Sequence, residues 1–231
     1  MDAKTKKVIL NISYPCTNEV VPAVIAGLSP KRDDVVISVA GSGDIPFAIA
    51  PYVKKVYAVD KNSSQIEFMK LQKGFLEARD FDSFCHTYLE DNLGPYDVSH
   101  GDLPRRKAYF SNKFEEVLGS LSKIEMINAD IIPFMRGLKG EKVFFVKVYL
   151  SNILHVPSNF YYSSDFIRAF FGLKEGGLVY DVHKRERLVG VSFPKEIFEL
   201  ELKRTRKAER AENRFNSENY NWVPQVYRKV G

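Results

Sequence analysis

Apolar stretches separated by glycine or polar turns recur along this chain, and they predict alternating strands and helices. Val35–Val39 and Val56–Val59 are short apolar runs, which are typical of strands covered on both faces. Between them, Ile45–Val53 predicts a short helix. Alternation of this kind indicates an α/β fold, a doubly wound and mostly parallel Rossmann-like sheet with helices on both faces.

The same pattern resumes later in the chain and predicts three further parallel strands. They lie at Lys123–Asn128, at Lys142–Leu150 and at Leu178–Val182. Gly176 and Gly177 come directly before the last of these runs and are expected to form the turn that leads into it.

The C-terminal region predicts two more strands, which form an antiparallel hairpin. Residues 198–202 alternate with a period of two, and Trp222–Val230 is the expected partner strand. A helix over Lys195–Arg214 is the alternative, because Glu, Lys, Arg and Ala all favour helix. The six basic residues of Lys203–Arg214 are interpreted either as a solvated hairpin arm or as an anion-binding patch.

A helix is predicted after the second strand, because Ser64 and Glu67 fit the S-x-x-E capping box. Its apolar stripe is interpreted as core packing rather than as part of a cofactor site. The stripe consists of Ile66, Phe68, Met69, Leu71 and Phe75.

Residues 80–121 predict a helical insertion between sheet units, with a loop around Leu93–Leu103 that could cover a ligand. The basic step Arg105-Arg106-Lys107 within it is expected to be solvated or, less simply, to contact RNA. At 231 residues, the chain is expected to form one domain that includes this insertion.

Composition narrows the classes of function. No apolar run of about 18 residues is present, so no transmembrane segment is expected, and no signal-peptide pattern follows the basic N-terminus, so a cytoplasmic location is expected. Cys16 and Cys85 are expected to be buried free thiols, and the four histidines lack metal-ligand spacing, so no metal site is expected. The net charge of +5 favours an anionic partner such as a nucleotide, RNA or a lipid head group.

Small residues after the first strand and an acid after the second predict a nucleoside site. Gly41 and Gly43 allow a ligand to approach the backbone, because glycine has no Cβ and accepts unusual dihedral angles. Asp60 follows Gly41 by nineteen positions, which suits a carboxylate that accepts hydrogen bonds from a ribose diol. Ala40, Ser42 and Lys61 are expected to line the same site.

Two cofactor classes share this layout, and the details favour S-adenosylmethionine over a dinucleotide. Pro46 occupies the position of the third glycine in the dinucleotide motif G-x-G-x-x-G. Asp44 would also place negative charge beside a pyrophosphate. S-adenosylmethionine carries no phosphate and has a sulfonium cation, so a neighbouring carboxylate is tolerable.

Most of the chain resembles the class I S-adenosylmethionine-dependent methyltransferase fold. The resemblance implies that Ala129 and Asp130, after the third strand, contact adenine. It also implies that VYLSNILHV (Val148 to Val156) lines the substrate side and that NYNWVPQVYRKV is the final strand.

The sequence departs from the common methyltransferase pattern because Ile37, Ser38 and Val39 stand where an acidic residue is usual near the end of the first strand. This departure resembles the 3-amino-3-carboxypropyl transferase of betaine-lipid synthesis, whose segment before the first strand is similar to ISYPCTNE (Ile12 to Glu19). The turn GSGDIP also resembles the GSG-x-x-P turn of nicotianamine synthase.

Three hypotheses follow from these residues. The favoured one is aminocarboxypropyl transfer from S-adenosylmethionine to a small-molecule or lipid-like acceptor. The alternatives are methyl transfer to a small molecule or RNA, and a cofactor-binding module that is not an enzyme. Tyr14, Ser151 and Asn152 are the expected substrate-side residues, and Tyr149 and His155 are candidate catalytic residues only by placement.

Several of these residues also have a purely structural interpretation. Asp60 and Asp130 could cap the helices that follow them. Tyr14 could be a half-buried packing residue, and Asn152 could satisfy backbone groups in a turn.

Overall fold

Seven strands form one sheet in the computed structural model, which describes residues 16–17, 19–86, 102–140, 144–151, 164–184, 193–215 and 222–231. The strands are β1 (Val35–Val39), β2 (Lys55–Asp60), β3 (Ile124–Asn128), β4 (Phe145–Ser151), β5 (Leu173–Lys184), β6 (Phe198–Leu200) and β7 (Trp222–Lys229). Their order across the sheet is β3-β2-β1-β4-β5-β7-β6. The first five strands are parallel, and β7 runs antiparallel to both β5 and β6, which confirms the predicted fold class.

Helices cover both faces of this sheet. In the described residues they are α1 (Val21–Leu28), α2 (Asp44–Ile49), α3 (Ser63–Glu77), α4 (Phe81–His86), α5 (Asp102–Leu118), α6 (Ile131–Gly140), α7 (Ser164–Ala169) and α8 (Leu202–Phe215). One apolar cluster contains residues from α1 to α5 and α8, and a second contains residues of α6 and α7. Successive residues of β5 join opposite clusters, as the period of a strand covered on both faces requires.

The order of the strands creates a crevice at the carboxyl ends of the parallel strands, which we call the carboxyl edge of the sheet. The chain passes from β1 to β2 on one side and returns to β4 on the other, so the carboxyl ends of β1 and β4 lie at a topological switch point. The register pairs Val39 with Val59 and Ser38 with Tyr149. The residues that follow β1, β2 and β4 therefore converge at this edge.

The C-terminal strands pair as expected, but the connection between them is a helix rather than a hairpin arm. Strand β6 ends at Leu200, and Leu202–Phe215 forms α8. Thr205, Ala208 and Glu212 are buried at helical spacing against the sheet and α1, so burial of this face favours helix over a longer strand. The alternation over residues 198–202 was thus too short to decide the element.

Three local expectations were wrong in detail. Helix α3 begins at Ser63 and is capped by Asn62, whose Oδ1 accepts from the Ser64 N–H at 3.0 Å, so the cap is not the predicted Ser64–Glu67 box. Leu71 is 43% exposed and lies off the core stripe. Gly176, at φ +72°, lies inside β5 where the register with β4 shifts, so it forms an irregularity within the strand instead of a turn before it.

The predicted insertion is helical in its described part, as α4 and α5, while the loop predicted around Leu93–Leu103 lies almost entirely outside the described residues. None of the helices in the described ranges is long and apolar enough to cross a membrane. Cys16 and Cys85 are both buried free thiols, as expected.

Arg106 is not the solvated or RNA-facing cation that the sequence suggested, because it is buried beneath α5. Its Nε donates to Oδ1 of Asp44 at 2.7 Å, and the two side chains are 3% and 0% exposed. Its other nitrogens donate to Gln72 Oε1 and to the Phe84 carbonyl oxygen, and the guanidinium lies 3.9 Å from the centre of the Phe84 ring. One side chain thus joins α5 to α2, α3 and α4.

We expect Arg106→Met to lower the free energy of unfolding by about 3–5 kcal/mol, because it leaves the Asp44 carboxylate buried without its cation. Arg79→Met is the matched control, since the Arg79–Glu115 ion pair is exposed and such pairs contribute little. Urea unfolding of the three proteins tests this. Equal losses in the two variants would contradict a structural role for the buried pair.

Candidate functional site

The two glycines of the turn after β1 have different surroundings. Both adopt positive φ, +50° at Gly41 and +91° at Gly43. A Cβ on Gly43 would meet Phe47 at 2.6 Å and Met69 at 2.9 Å, so this glycine allows close packing. A Cβ on Gly41 would meet no atom within 4 Å. Gly41 therefore leaves open space above the bare backbone at the switch point.

Asp60 reaches back from the end of β2 to the same turn. Its Oδ2 accepts from the Gly41 N–H at 3.2 Å, and its Oδ1 accepts from the Asn62 N–H at 2.9 Å. Burial raises the pKa of this carboxyl, although the two backbone hydrogen bonds and the charge of Lys61 act in the opposite direction. Each oxygen keeps acceptor capacity, so the carboxylate can still bind a hydroxyl pair.

The end of β3 is fastened to the end of β2. The Ala129 N–H donates to the Asp60 carbonyl oxygen at 3.0 Å, and the Asn128 amide donates to the carbonyl oxygens of Asp60 and Lys61. Asp130 Oδ1 accepts from the Ile132 N–H at 3.0 Å, so Asp130 caps α6. The structural interpretation of Asp130 is therefore observed, and its contact with adenine stays a prediction.

The residues around the glycines point into the protein. Ala40 is buried, and the Ser42 side chain is buried and accepts from the Asp44 N–H at 3.4 Å. The Asp44 carboxylate faces inward, where Arg106 and the Thr17 N–H donate to it. Because Arg106 compensates its charge, Asp44 does not place free negative charge beside a ligand, and this argument against a dinucleotide no longer holds. Pro46 in place of the third glycine is the argument that remains.

Glu19 is the site residue that sequence reasoning missed. Tyr149 Oη donates to one of its carboxylate oxygens, and Ser151 Oγ donates to the other. The Glu19 residue is 6% exposed. Ser151, which ends β4, adopts φ +57°, a conformation uncommon for a residue other than glycine. The structure therefore brings Glu19, Tyr149 and Ser151 together at the carboxyl end of β4.

The pKa of Glu19 is raised to about 7, chiefly by burial and to a smaller extent by the charge of the nearby Asp181, against the hydrogen bonds from Ser151 and Tyr149, which act to lower it. Burial and the Glu19 charge raise the pKa of Tyr149 well above its usual value, so the phenol stays protonated and acts as a donor. Of these groups, Glu19 is the one that can accept a proton near neutral pH.

A signal for Glu19 was present in the sequence. The acid usual near the end of the first strand is absent, and Glu19 is the acid of the ISYPCTNE segment, although Tyr14 is the residue of that segment that we expect on the substrate side. Tyr14, Asn152 and His155 lie outside the described residues, so their expected roles stay predictions.

Comparison with solved structures identifies the fold. The chain is similar to a putative methyltransferase from Escherichia coli, with a TM-score of 0.52, 11% identity, and coverage of 94% of this chain and 89% of that one. It is also similar to a conserved hypothetical protein from Streptococcus pyogenes, with a TM-score of 0.51, 10% identity, and coverage of 92% and 96%. A putative methyltransferase from Streptococcus mutans in complex with SAH matches with a TM-score of 0.49, 10% identity, and coverage of 93% and 100%.

No protein-family model matches the chain, and a search of curated proteins finds no match. The likeness to solved structures, at these identities, establishes the fold. The chain has the Rossmann-like α/β fold of class I S-adenosylmethionine-dependent methyltransferases.

We expect the stability of the protein to fall as pH rises through about 7, because the Glu19 pKa is raised in the folded state from 4.5 to about 7. The stabilising contribution of protonated Glu19 is complete below pH 4.5 and is lost above pH 7. Glu19→Gln should therefore gain up to about 3 kcal/mol relative to the wild type between pH 4.5 and pH 8.

Denaturant unfolding at several pH values measures this difference. Glu67→Gln, at an exposed glutamate that pairs with Lys70, is the control and should follow the wild type throughout. Parallel curves for Glu19→Gln and the wild type would show that Glu19 does not titrate in this range.

Proposed function

We propose that the protein is an S-adenosylmethionine-dependent transferase whose cofactor binds at the carboxyl ends of β1, β2 and β3. The observation that carries this proposal is the hydrogen bond between the Gly41 N–H and the Asp60 carboxylate. This hydrogen bond holds the Gly41 turn next to the Asp60 carboxylate, which is our candidate for accepting hydrogen bonds from the ribose. Both lie at the switch point where doubly wound sheets bind ligands.

The residues at this edge fit such a cofactor. The space above Gly41 is free of protein atoms within 4 Å of a Cβ position, and Asp60 keeps acceptor capacity for a ribose diol. Carboxylates at Asp60 and Glu19 suit a cation, because burial has raised the pKa of both and a positive charge would stabilise their ionised forms. When bound, the cofactor supplies an electrophilic carbon attached to a sulfonium.

Methyl transfer is the reaction that we favour. Its support is that a protein of the same fold, from Escherichia coli, is a putative methyltransferase. Aminocarboxypropyl transfer, which the sequence resemblance favoured, is the second candidate. The observation in its favour is that Glu19, of the ISYPCTNE segment, reaches the end of β4 and supplies a carboxylate there.

In either reaction the chain contributes positioning and a proton acceptor. Glu19 is our candidate for the proton acceptor, because its carboxylate is buried at the carboxyl end of β4. Tyr149 and Ser151 hold that carboxylate in place through their hydroxyl groups.

RNA is a candidate acceptor because α8 carries an exposed basic stripe. The stripe consists of Lys203, Arg206, Lys207, Arg210 and Arg214, all exposed and spaced along one helical face. Such a stripe attracts polyanions through their phosphates without reading sequence.

Incubation with S-adenosylmethionine and an extract fractionated into small molecules and RNA should release S-adenosylhomocysteine, identified by mass spectrometry. Release of methylthioadenosine would support the second candidate. Cofactor binding without either product would indicate that the protein binds S-adenosylmethionine but is not an enzyme. Absence of cofactor binding would overturn the proposal.

We expect Asp60→Ala to weaken S-adenosylhomocysteine binding at least about tenfold, because hydrogen bonds to a charged group are worth roughly 1.5–3 kcal/mol. Asp33→Ala, which removes an exposed carboxylate before β1, should bind as the wild type does. Isothermal titration calorimetry measures both. An unchanged affinity in Asp60→Ala would mean that the ribose does not lie at Asp60.

A further inference from the structure

A cavity of about 430 Å³ lies between the chain that enters α1 and the first half of α5. Its volume falls in the range of pockets that hold small molecules. Most of its wall is apolar, and the apolar wall residues are Val20, Val21, Pro22, Pro104, Ala108 and Tyr109. The body of a ligand in this cavity would therefore be apolar.

Some residues that line the cavity also take part in the contacts of the candidate site. Glu19, which also lines the cavity, is fixed to the end of β4 by Tyr149 and Ser151. Thr17 and Arg106 line it as well, and both donate to the carboxylate of Asp44, the residue that follows the glycine turn. The cavity is thus lined by the candidate proton acceptor, and two of its other lining residues bind the residue that follows the turn.

Glu19 sets the chemistry that a ligand must bring. It supplies a buried carboxylate to a mostly apolar wall whose other charged residues are Arg105, Arg106 and Lys113, so a ligand should carry a group that donates a hydrogen bond to Glu19. Ammonium and hydroxyl groups are such donors: an ammonium becomes a nucleophilic amine once it has lost a proton, and a hydroxyl becomes a stronger nucleophile as its proton is removed.

We propose that this cavity binds the acceptor, a small apolar molecule with an amine or hydroxyl group directed at Glu19. This proposal rests on the proposed function of the same site. The lone pair of the acceptor forms the bond to the transferred carbon, and the carbon–sulfur bond breaks with its electrons going to sulfur. The proton of the acceptor goes to the Glu19 carboxylate.

The wall of α5 offers a variant that fills the cavity without touching the cofactor site. Ala108 lines the cavity and is exposed, so Ala108→Trp should occupy the space that the acceptor needs. Ser111→Trp is the matched control, because Ser111 is exposed on the same helix and does not line the cavity. Asn112→Trp is a second cavity variant, one turn further along α5.

Phenethylamine and phenethyl alcohol serve as probes, titrated into the protein saturated with S-adenosylhomocysteine. Amide NMR signals of Val21 and Tyr109 report on the two walls. We expect saturable shifts in the wild type and Ser111→Trp, and at least tenfold weaker binding in Ala108→Trp and Asn112→Trp. The affinity for S-adenosylhomocysteine should agree within twofold in all four proteins.

The outcomes separate the two proposals. Binding of S-adenosylhomocysteine without any probe shift at these signals would overturn the acceptor site alone. Equal probe binding in all variants would also overturn the acceptor site. The same conclusion would follow if a short RNA, but neither probe, shifted the Val21 and Tyr109 signals. If the wild type binds the amine but not S-adenosylhomocysteine, the proposed function fails and the acceptor role fails with it.

Discussion

The buried contact between Asp44 and Arg106 is the interaction on which the arrangement of the site depends. Asp44 follows the glycine turn, and its two carboxylate oxygens bind Arg106 of α5 and the Thr17 N–H of the N-terminal segment. A charge buried this deeply is tolerated only with such a partner. The pair therefore fixes α5 and the N-terminal segment against the turn, and through them it sets the walls of the cavity.

Two carboxylates at the same edge are suited to different tasks by what surrounds them. Asp60 is held by backbone N–H groups of Gly41 and Asn62, which fix it beside the turn. Glu19 is held by two hydroxyl groups and has a pKa raised to about 7. The first environment suits binding, and the second suits exchange of a proton near neutral pH.

The molecule presents two surfaces that suit two kinds of acceptor. The cavity beside Glu19 is mostly apolar and small, whereas the basic stripe of α8 is open and charged. Of these two surfaces, the cavity is the one that Glu19 lines, and for this reason we assign the reacting acceptor to it. The stripe explains part of the net charge of +5 without requiring a role in the reaction.

The sequence by itself determined the parallel strands, the glycine turn and the place of Asp60. These depend on local patterns: strand period, dihedral freedom at glycine, and a carboxylate at the end of a neighbouring strand, nineteen residues from Gly41. Helix α8 and the irregularity at Gly176 were not determined in this way, because burial against α1 and pairing with β4 decided them.

Only the tertiary structure decided which charged groups meet. Arg106 lies 62 residues from Asp44, and Glu19 lies 132 residues from Ser151. The sequence shows that a residue is a cation or an acid. Its burial and its partners depend on which strands and helices pack together. The free-energy cost of an unpaired buried charge then selects these pairs, and it acts only once the chain has folded.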